Sequence, residues 1–200
     1  MKFCSLCGSP VERRIPSGDN RERFVCTACG EIHYQNPKIV AGCIVEWDER
    51  ILLCKRAIEP RYGLWTLPAG FMENNETAIE AAIRETQEEA NAQVEVMELH
   101  TMLSVPHANQ VYVMFRARLL APTFGPSHES LEVGLYDEAT VPWRQIAFPT
   151  VLHTLRFYYA DRKAGCYTLH VGDIVRNSGE PYFHERRPLP GHDPGKLALG

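Results

Sequence analysis

The stretch that most constrains this chain is residues 76–91, ETAIEAAIRETQEEAN, where carboxylates and small apolar residues recur at helical spacing. At about 100° per residue, Ile79, Ala82, Ile83, Thr86 and Ala90 share one stripe, which predicts a helix over residues 77–90 packed by that stripe on a sheet. Glu85 and Glu89 lie side by side on another flank, with Glu88 next to them. Each like-charged pair at that spacing costs roughly 0.2–0.5 kcal/mol. Water absorbs such a cost on an exposed face, while a divalent cation turns it into binding, so spacing alone leaves both a solvated face and a metal site open. Arg84 is placed to pair with Glu80 or Glu88. Asn74 or Asn75 is available as N-cap, Glu76 sits near the positive end of the dipole, and Asn91 tolerates the left-handed conformation that ends helices.

Around this helix the chain alternates apolar runs with turns. Residues 39–47 and 51–56 read as antiparallel strands joined at Asp48-Glu49-Arg50, and residues 64–68 as a short extended segment before Pro68. Further strands are expected at 94–105, 110–120 and 131–136. A second helix is expected over 149–163, with Pro149 at its start and Val151, Leu152, Leu155 and Tyr159 at helical spacing. Beyond Gly165 the sequence offers one weak strand (166–171) and then a Pro/Gly/His-rich tail that reads as loop or a partner-covering arm. Mostly antiparallel strands with two helices argue for an α+β fold, a mixed sheet with helices on its faces.

Residues 1–35 carry four of the seven cysteines and few apolar side chains, so they need a staple. Cys4-x2-Cys7 and Cys26-x2-Cys29, with 18 residues between, have the spacing of a four-cysteine zinc ribbon. Gly8 and Gly30 follow the pairs and allow the tight turn around a thiolate. Four thiolates leave no open coordination position, which makes the expected Zn²⁺ structural. Cys43, Cys54 and Cys166 fall in apparent strands and read as core residues. The histidines are scattered without ligand spacing and none is assigned to a site.

Net charge is −4 with pI ≈ 6.1, and the arginines near the cysteines are offset by Glu12, Asp19, Glu22 and Glu31, which argues against nucleic acid as a partner. No apolar run is long enough to span a bilayer. The first residues lack the apolar stretch of a signal peptide, so a cytoplasmic, non-membrane protein with reduced cysteines is expected.

The segment Gly70-x5-Glu76-x7-Arg84-Glu85-Thr86-x-Glu88-Glu89-x-Asn91-Ala92 resembles the Nudix box. Six fixed positions match, a coincidence below about 10⁻⁷ per start point at average residue usage. Thr86 stands where an aliphatic residue is usual, and Asn91 replaces the closing glycine. The lead-in Gly63-Leu-Trp-Thr-Leu-Pro-Ala-Gly70 also looks like the family's approach strand. The resemblance implies the Nudix α/β/α sandwich over residues 36–163, a zinc ribbon over 1–35 and a C-terminal extension over 164–200. It implies that Glu85, Glu89, Glu88 and the Ala69 carbonyl bind Mg²⁺ or Mn²⁺, that Arg84 holds the glutamates, and that Glu76 supports the loop at Gly70. The general base varies across the family between a box glutamate, here Glu85 or Glu88, and a glutamate on a later loop; Glu129 and Glu132 are the later candidates, each also readable as a solvated strand edge.

The ribbon, the linker over 32–40, the box and Glu129-Ser-Leu-Glu132 together resemble a branch described as FAD and ADP-ribose pyrophosphatases, over about residues 3–160. AMP would be one product, and the enzyme a homodimer. A second ribbon-bearing branch hydrolyses NADH and NAD-capped RNA, but its Ser-Gln-Pro-Trp-Pro-Phe-Pro-like run after the box has no counterpart here. A non-catalytic nucleotide sensor is the third reading, disfavoured because every box carboxylate stands. Trp65, Tyr62 and Tyr112 can stack on a base or simply pack, and Arg56 can meet a phosphate or pair with an acid.

Overall fold

A computed structural model describes residues 1–177 and 180–185. They fall into two compact units, Met1–Pro37 and the chain from Lys38 onward. The first is a three-stranded antiparallel sheet of β1 (Val11–Arg14), β2 (Arg23–Cys26) and β3 (Ile32–His33), with β2 central. Its buried apolar side chains amount to Pro16, Val25, Cys4 and Cys26, too few to hold a fold without a cross-link.

The second unit runs β4 (Lys38–Trp47), β5 (Arg50–Arg56), β6 (Trp65–Thr66), β7 (Ala69–Phe71), α1 (Ala78–Ala90), β8 (Val94–Val105), β9 (Gln110–Leu119), β10 (Ser130–Tyr136), α2 (Pro149–Ala164), β11 (His170–Asn177) and β12 (Glu180–Glu185). The strands form one mixed sheet in the order β10-β5-β4-β9-β8-β11-β12, with β6 added to β5 and β7 to β4. The pairs β4–β9 and β8–β11 are parallel and the rest antiparallel.

Strand alternation divides the core in two. Ala41, Cys43, Val45, Leu52, Cys54, Phe115, Ala117 and Leu119 face α1 through Ala81, Ala82 and Ala90. Ile44, Ile51, Leu53 and Met114 face the other way, onto Val151, Leu155, Tyr158 and Tyr159 of α2. The result is the expected α/β/α sandwich, a helix on each face of a mixed sheet. Neither helix is long and apolar enough to cross a membrane.

Several local expectations are corrected. The N-cap of α1 is Thr77, not Asn74 or Asn75: its hydroxyl accepts from Glu80 N while the Glu80 carboxylate accepts from Thr77 N, a capping box worth about 1 kcal/mol. Glu80 is thereby unavailable to Arg84. The buried face of α1 is Ala81, Ala82, Glu85, Thr86, Glu89 and Ala90, whereas Ile79 and Ile83 are 46% and 37% exposed. Alanines let the helix sit close to β4, with Cys43 Sγ 3.6 Å from the Ala82 carbonyl. Turning the isoleucines inward would swing both glutamates away from β7.

Cys166 lies exposed in the turn after α2 rather than in a strand, and the weak strand begins at His170 and runs to Asn177. Of the Pro/Gly/His-rich tail, residues 178, 179 and 186–200 lie outside the described residues. The histidines are not all scattered either: His100 and His170 meet at Asp161.

Candidate active site

Two glycines shape the notch where β7 meets α1. A β-carbon on Gly42 would collide with the Ala69 side chain and the Pro68 carbonyl, so glycine there lets β7 lie tight against β4. A β-carbon on Gly70 would fall inside the Glu85 carboxyl group. Glu85 and Glu89 project from α1 into this notch at 8% and 4% exposure. Ala69 N donates to Glu89 Oε2 at 3.3 Å.

Burial pushes the Glu89 carboxyl up to about 8; the negative charges of Glu85 and Glu129 add to the rise, while the Ala69 amide and Arg56 oppose it. Glu85 is raised for the same first reason, with Arg84 pulling it back. Two like-charged carboxyls sunk side by side favour a proton or a cation between them.

Arg84 organises the rim. Its Nε and Nη2 donate to Glu76 at 3.0 and 2.8 Å, Nη1 to Glu85 at 2.7 Å and to Glu88 at 3.0 Å, and Nη2 to the Phe71 carbonyl at 3.1 Å. The Arg84 hydrogen bonds, with help from the Glu73 amide, hold Glu76 down at about 2. Glu76 thus ties the loop after β7 to the helix. Arg84 also occupies space between Glu85 and Glu88. Among the described residues, the groups of three or more metal-type donors within 4.8 Å of one another are the four ribbon cysteines and His100, Asp161 and His170; the box glutamates are more spread.

Glu129 is close enough for its charge to act on both Glu85 and Glu89. Its loop is fastened to the end of α1: Ser127 Oγ donates to the Glu89 carbonyl, the Glu129 amide donates to Ser127 Oγ, and Asn91 Nδ2 donates to the Pro126 carbonyl at 2.9 Å. Ser127 was not singled out from sequence, since a lone loop serine carries no signal. Glu132 instead turns to Lys55, its neighbour across the β10–β5 ladder, at 3.5 Å.

Arg56 makes a hydrogen bond to the Pro60 carbonyl and stands over the Phe148 ring at 5.1 Å, while its charge reaches Glu89. Trp65 does not offer a stacking face: it is 6% exposed, edge-on to Tyr136, with Lys55 over its ring. β6 lies beside β5 and bridges to Ile146, which seals the indole in the core. Tyr112 is half-buried and Tyr62 exposed.

In the first unit, Cys4–Cys29, Cys7–Cys26 and Cys7–Cys29 sulfurs stand 3.8, 3.5 and 3.5 Å apart. A tetrahedral zinc with 2.3 Å bonds holds sulfurs about 3.8 Å apart, whereas a disulfide needs about 2.05 Å. Amides of Leu6, Ala28 and Cys29 donate to Cys4 and Cys26 sulfurs, as thiolates require, and Gly8 and Gly30 adopt positive φ at the two knuckles. The four cysteines fit a structural metal.

Comparison with known proteins agrees with this division. The family model for the Nudix N-terminal region matches residues 2–35 and that for the NUDIX domain residues 36–151. The chain resembles the crystal structure of a NUDIX hydrolase from Nitrosomonas europaea with TM-score 0.85 and 54% identity, over 88% of this chain and 100% of that one. It is 29% identical over 113 residues to an ADP-ribose pyrophosphatase of Methanocaldococcus jannaschii, 54% of this chain and 67% of that protein. It is 31% identical over 119 residues to the NAD-capped RNA hydrolase NudC of Edwardsiella ictaluri, 58% of this chain but 43% of that protein, so the match spans less than half of that relative. With its glutamate-bearing turn and helix, its helix–sheet–helix layers and a family model over more than half its length, the chain belongs to the Nudix hydrolase family and carries that family's ribbon module ahead of the catalytic-type domain.

Proposed function

We propose that this chain hydrolyses the pyrophosphate bond of a nucleoside diphosphate linked to another group, FAD or ADP-ribose, releasing AMP with FMN or ribose 5-phosphate. What carries it is the pair of nearly buried carboxyls, Glu85 and Glu89, packed on the Ala69–Gly70 backbone with Glu89 pushed up to about 8. Glu85, Glu89 and the Ala69 carbonyl would hold Mg²⁺ or Mn²⁺, with Glu88 joining as Arg84 releases it. Such an ion neutralises the diphosphate and acidifies an attacking water. Arg84 and Glu76 keep the glutamate helix and the β7 loop in register. Glu129, whose charge reaches both buried glutamates from a loop pinned by Ser127, is the proton acceptor we favour over Glu132, which Lys55 engages. Zn²⁺ in the four-cysteine cluster would hold the ribbon together.

Hydrolysis of NADH or NAD-capped RNA is the second reading, favoured by the likeness to NudC and opposed by the missing run after the box. Incubating the purified chain and Mg²⁺ separately with FAD, ADP-ribose, NADH, NAD-capped RNA and a diadenosine polyphosphate, then separating products by chromatography, distinguishes them. AMP from FAD or ADP-ribose is the expected result. Preference for the NAD-derived substrates selects the second reading, and no turnover of any compound excludes catalysis.

A further inference from the structure

Three donors of metal-binding type meet on the face of the sheet that α2 covers, opposite the face bearing Glu85 and Glu89. His100 comes from β8, Asp161 from the last turn of α2, and His170 opens β11. One donor atom from each lies within 4.8 Å of the others, and His170 Nε2 stands 2.9 Å from Asp161 Oδ2. Donors bound at about 2.0–2.2 Å to a tetrahedral zinc sit roughly 3.3 Å apart, so small side-chain rotations close this trio around an ion.

His100 is the informative member. It is 1% exposed, and among the described residues neither ring nitrogen has a hydrogen-bond partner. A neutral imidazole carries one donor and one acceptor, and burying both without partners is rare in a folded chain. The backbone is also shaped for this residue. Leu99 pairs with Phe115 and Thr101 with Met114, which leaves His100 as the extra residue of a β-bulge. Bulges re-aim side chains. Here the bulge buries His100 and Thr101 in succession on the α2 side, where Thr101 meets Thr154 at 3.0 Å.

The surroundings hold the trio without satisfying it. Tyr158 and Tyr167 stand edge-on to the His100 ring, and Phe157 stacks on His170 at 4.2 Å. The Tyr158 hydroxyl is committed to Arg162. Thr168 N fixes Asp161 at 2.8 Å. Arg116, whose charge reaches His100, is already paired with Glu46 and Glu98, which blunts its repulsion of a cation.

We infer that His100, Asp161 and His170 form a second metal site, for Zn²⁺ or a neighbouring transition-metal dication, in which the ion staples β11 to β8 and α2. Two imidazoles and one carboxylate favour such an ion over Mg²⁺. The fourth position falls to water or to the Thr168 hydroxyl, 3.3 Å from His170 Nε2.

The test is metal content of the full-length chain, saturated with Zn²⁺, passed through metal-free gel filtration and measured by mass spectrometry. Wild type should retain one zinc more per chain than His170→Ala, and the zinc lost in Cys4→Ser should be a different one, so that the losses add in the double variant. Equal zinc in wild type and His170→Ala overturns the proposal. Because that variant can fail to fold, a second readout uses wild type alone: ring-nitrogen NMR of ¹⁵N-histidine-labelled protein during Zn²⁺ addition. Two histidines should move together to zinc-bound shifts at one equivalent beyond the ribbon, unchanged by excess Mg²⁺. Histidine ring signals that stay fixed contradict the site. Neither measurement depends on catalysis.

Discussion

Arg84 reaches back to Glu76 with two parallel hydrogen bonds, Nε to Oε2 and Nη2 to Oε1, while its other nitrogen holds Glu85 and Glu88. A lysine keeps the charge but has no planar fork. Arg84→Lys should therefore lower kcat by roughly 10²-fold, the scale of an ångström-level misplacement, with little change in KM for the nucleotide. Steady-state kinetics at saturating Mg²⁺ check this; an unchanged kcat means that the clamp positions nothing.

Gly70→Ala tests the notch from the other side. Its methyl group would displace the Glu85 carboxyl, which lies directly on the glycine backbone. The sheet should survive, because β7 is short and Gly70 has ordinary negative φ. The Mg²⁺ concentration for half-maximal activity should rise by about tenfold or more, read from a metal titration alongside circular dichroism.

Glu89→Gln should reduce turnover by about 10³-fold or more while changing stability in the opposite direction. The folded-state value of Glu89 is raised from 4.5 to about 8, so the fold prefers the protonated acid. Its contribution is fully present below pH 4.5 and is lost as pH rises through about 8. In Mg²⁺-free buffer, wild type should lose about 3–5 kcal/mol across that window that Glu89→Gln keeps. Urea denaturation of both proteins at pH 5 and pH 8.5 gives the difference directly.

Glu129→Gln and Glu132→Gln separate the two candidates for the base. Loss of a positioned proton acceptor costs about 10²–10⁴-fold. That loss is expected for Glu129, whose field reaches both buried glutamates, while Glu132→Gln should stay within about twofold because it only releases Lys55 at a strand edge. The reverse pattern in kcat reassigns the base.

What was legible in the sequence followed from short-range rules. The apolar runs holding Ile44-Val45 and Leu52-Leu53-Cys54 read as strands, and their residues divide between the two cores as a period of two requires. The carboxylates at 85, 88 and 89 were visible because helical spacing is local. Which face of α1 turns inward was not: periodicity draws Ile79 and Ile83 to the sheet, but close packing selects the alanines and carries Glu85 and Glu89 in with them. Thr77 with Glu80 is a capping box legible in the sequence, with Asn74 and Asn75 close by as competing cap candidates. The meeting of His100 with Asp161 and His170 lies beyond sequence rules, since it depends on one bulge and on the parallel pairing of β8 with β11.

In the proposed site, the buried glutamates on the Gly70 notch close around a divalent ion. Crystals soaked in Mn²⁺ and measured at its absorption edge test it most directly. An anomalous peak about 2.1 Å from carboxylate oxygens of Glu85 and Glu89 and from the Ala69 carbonyl is the expected result. Glu85 still held by Arg84, with no ion between it and Glu89 at saturating Mn²⁺, would contradict it.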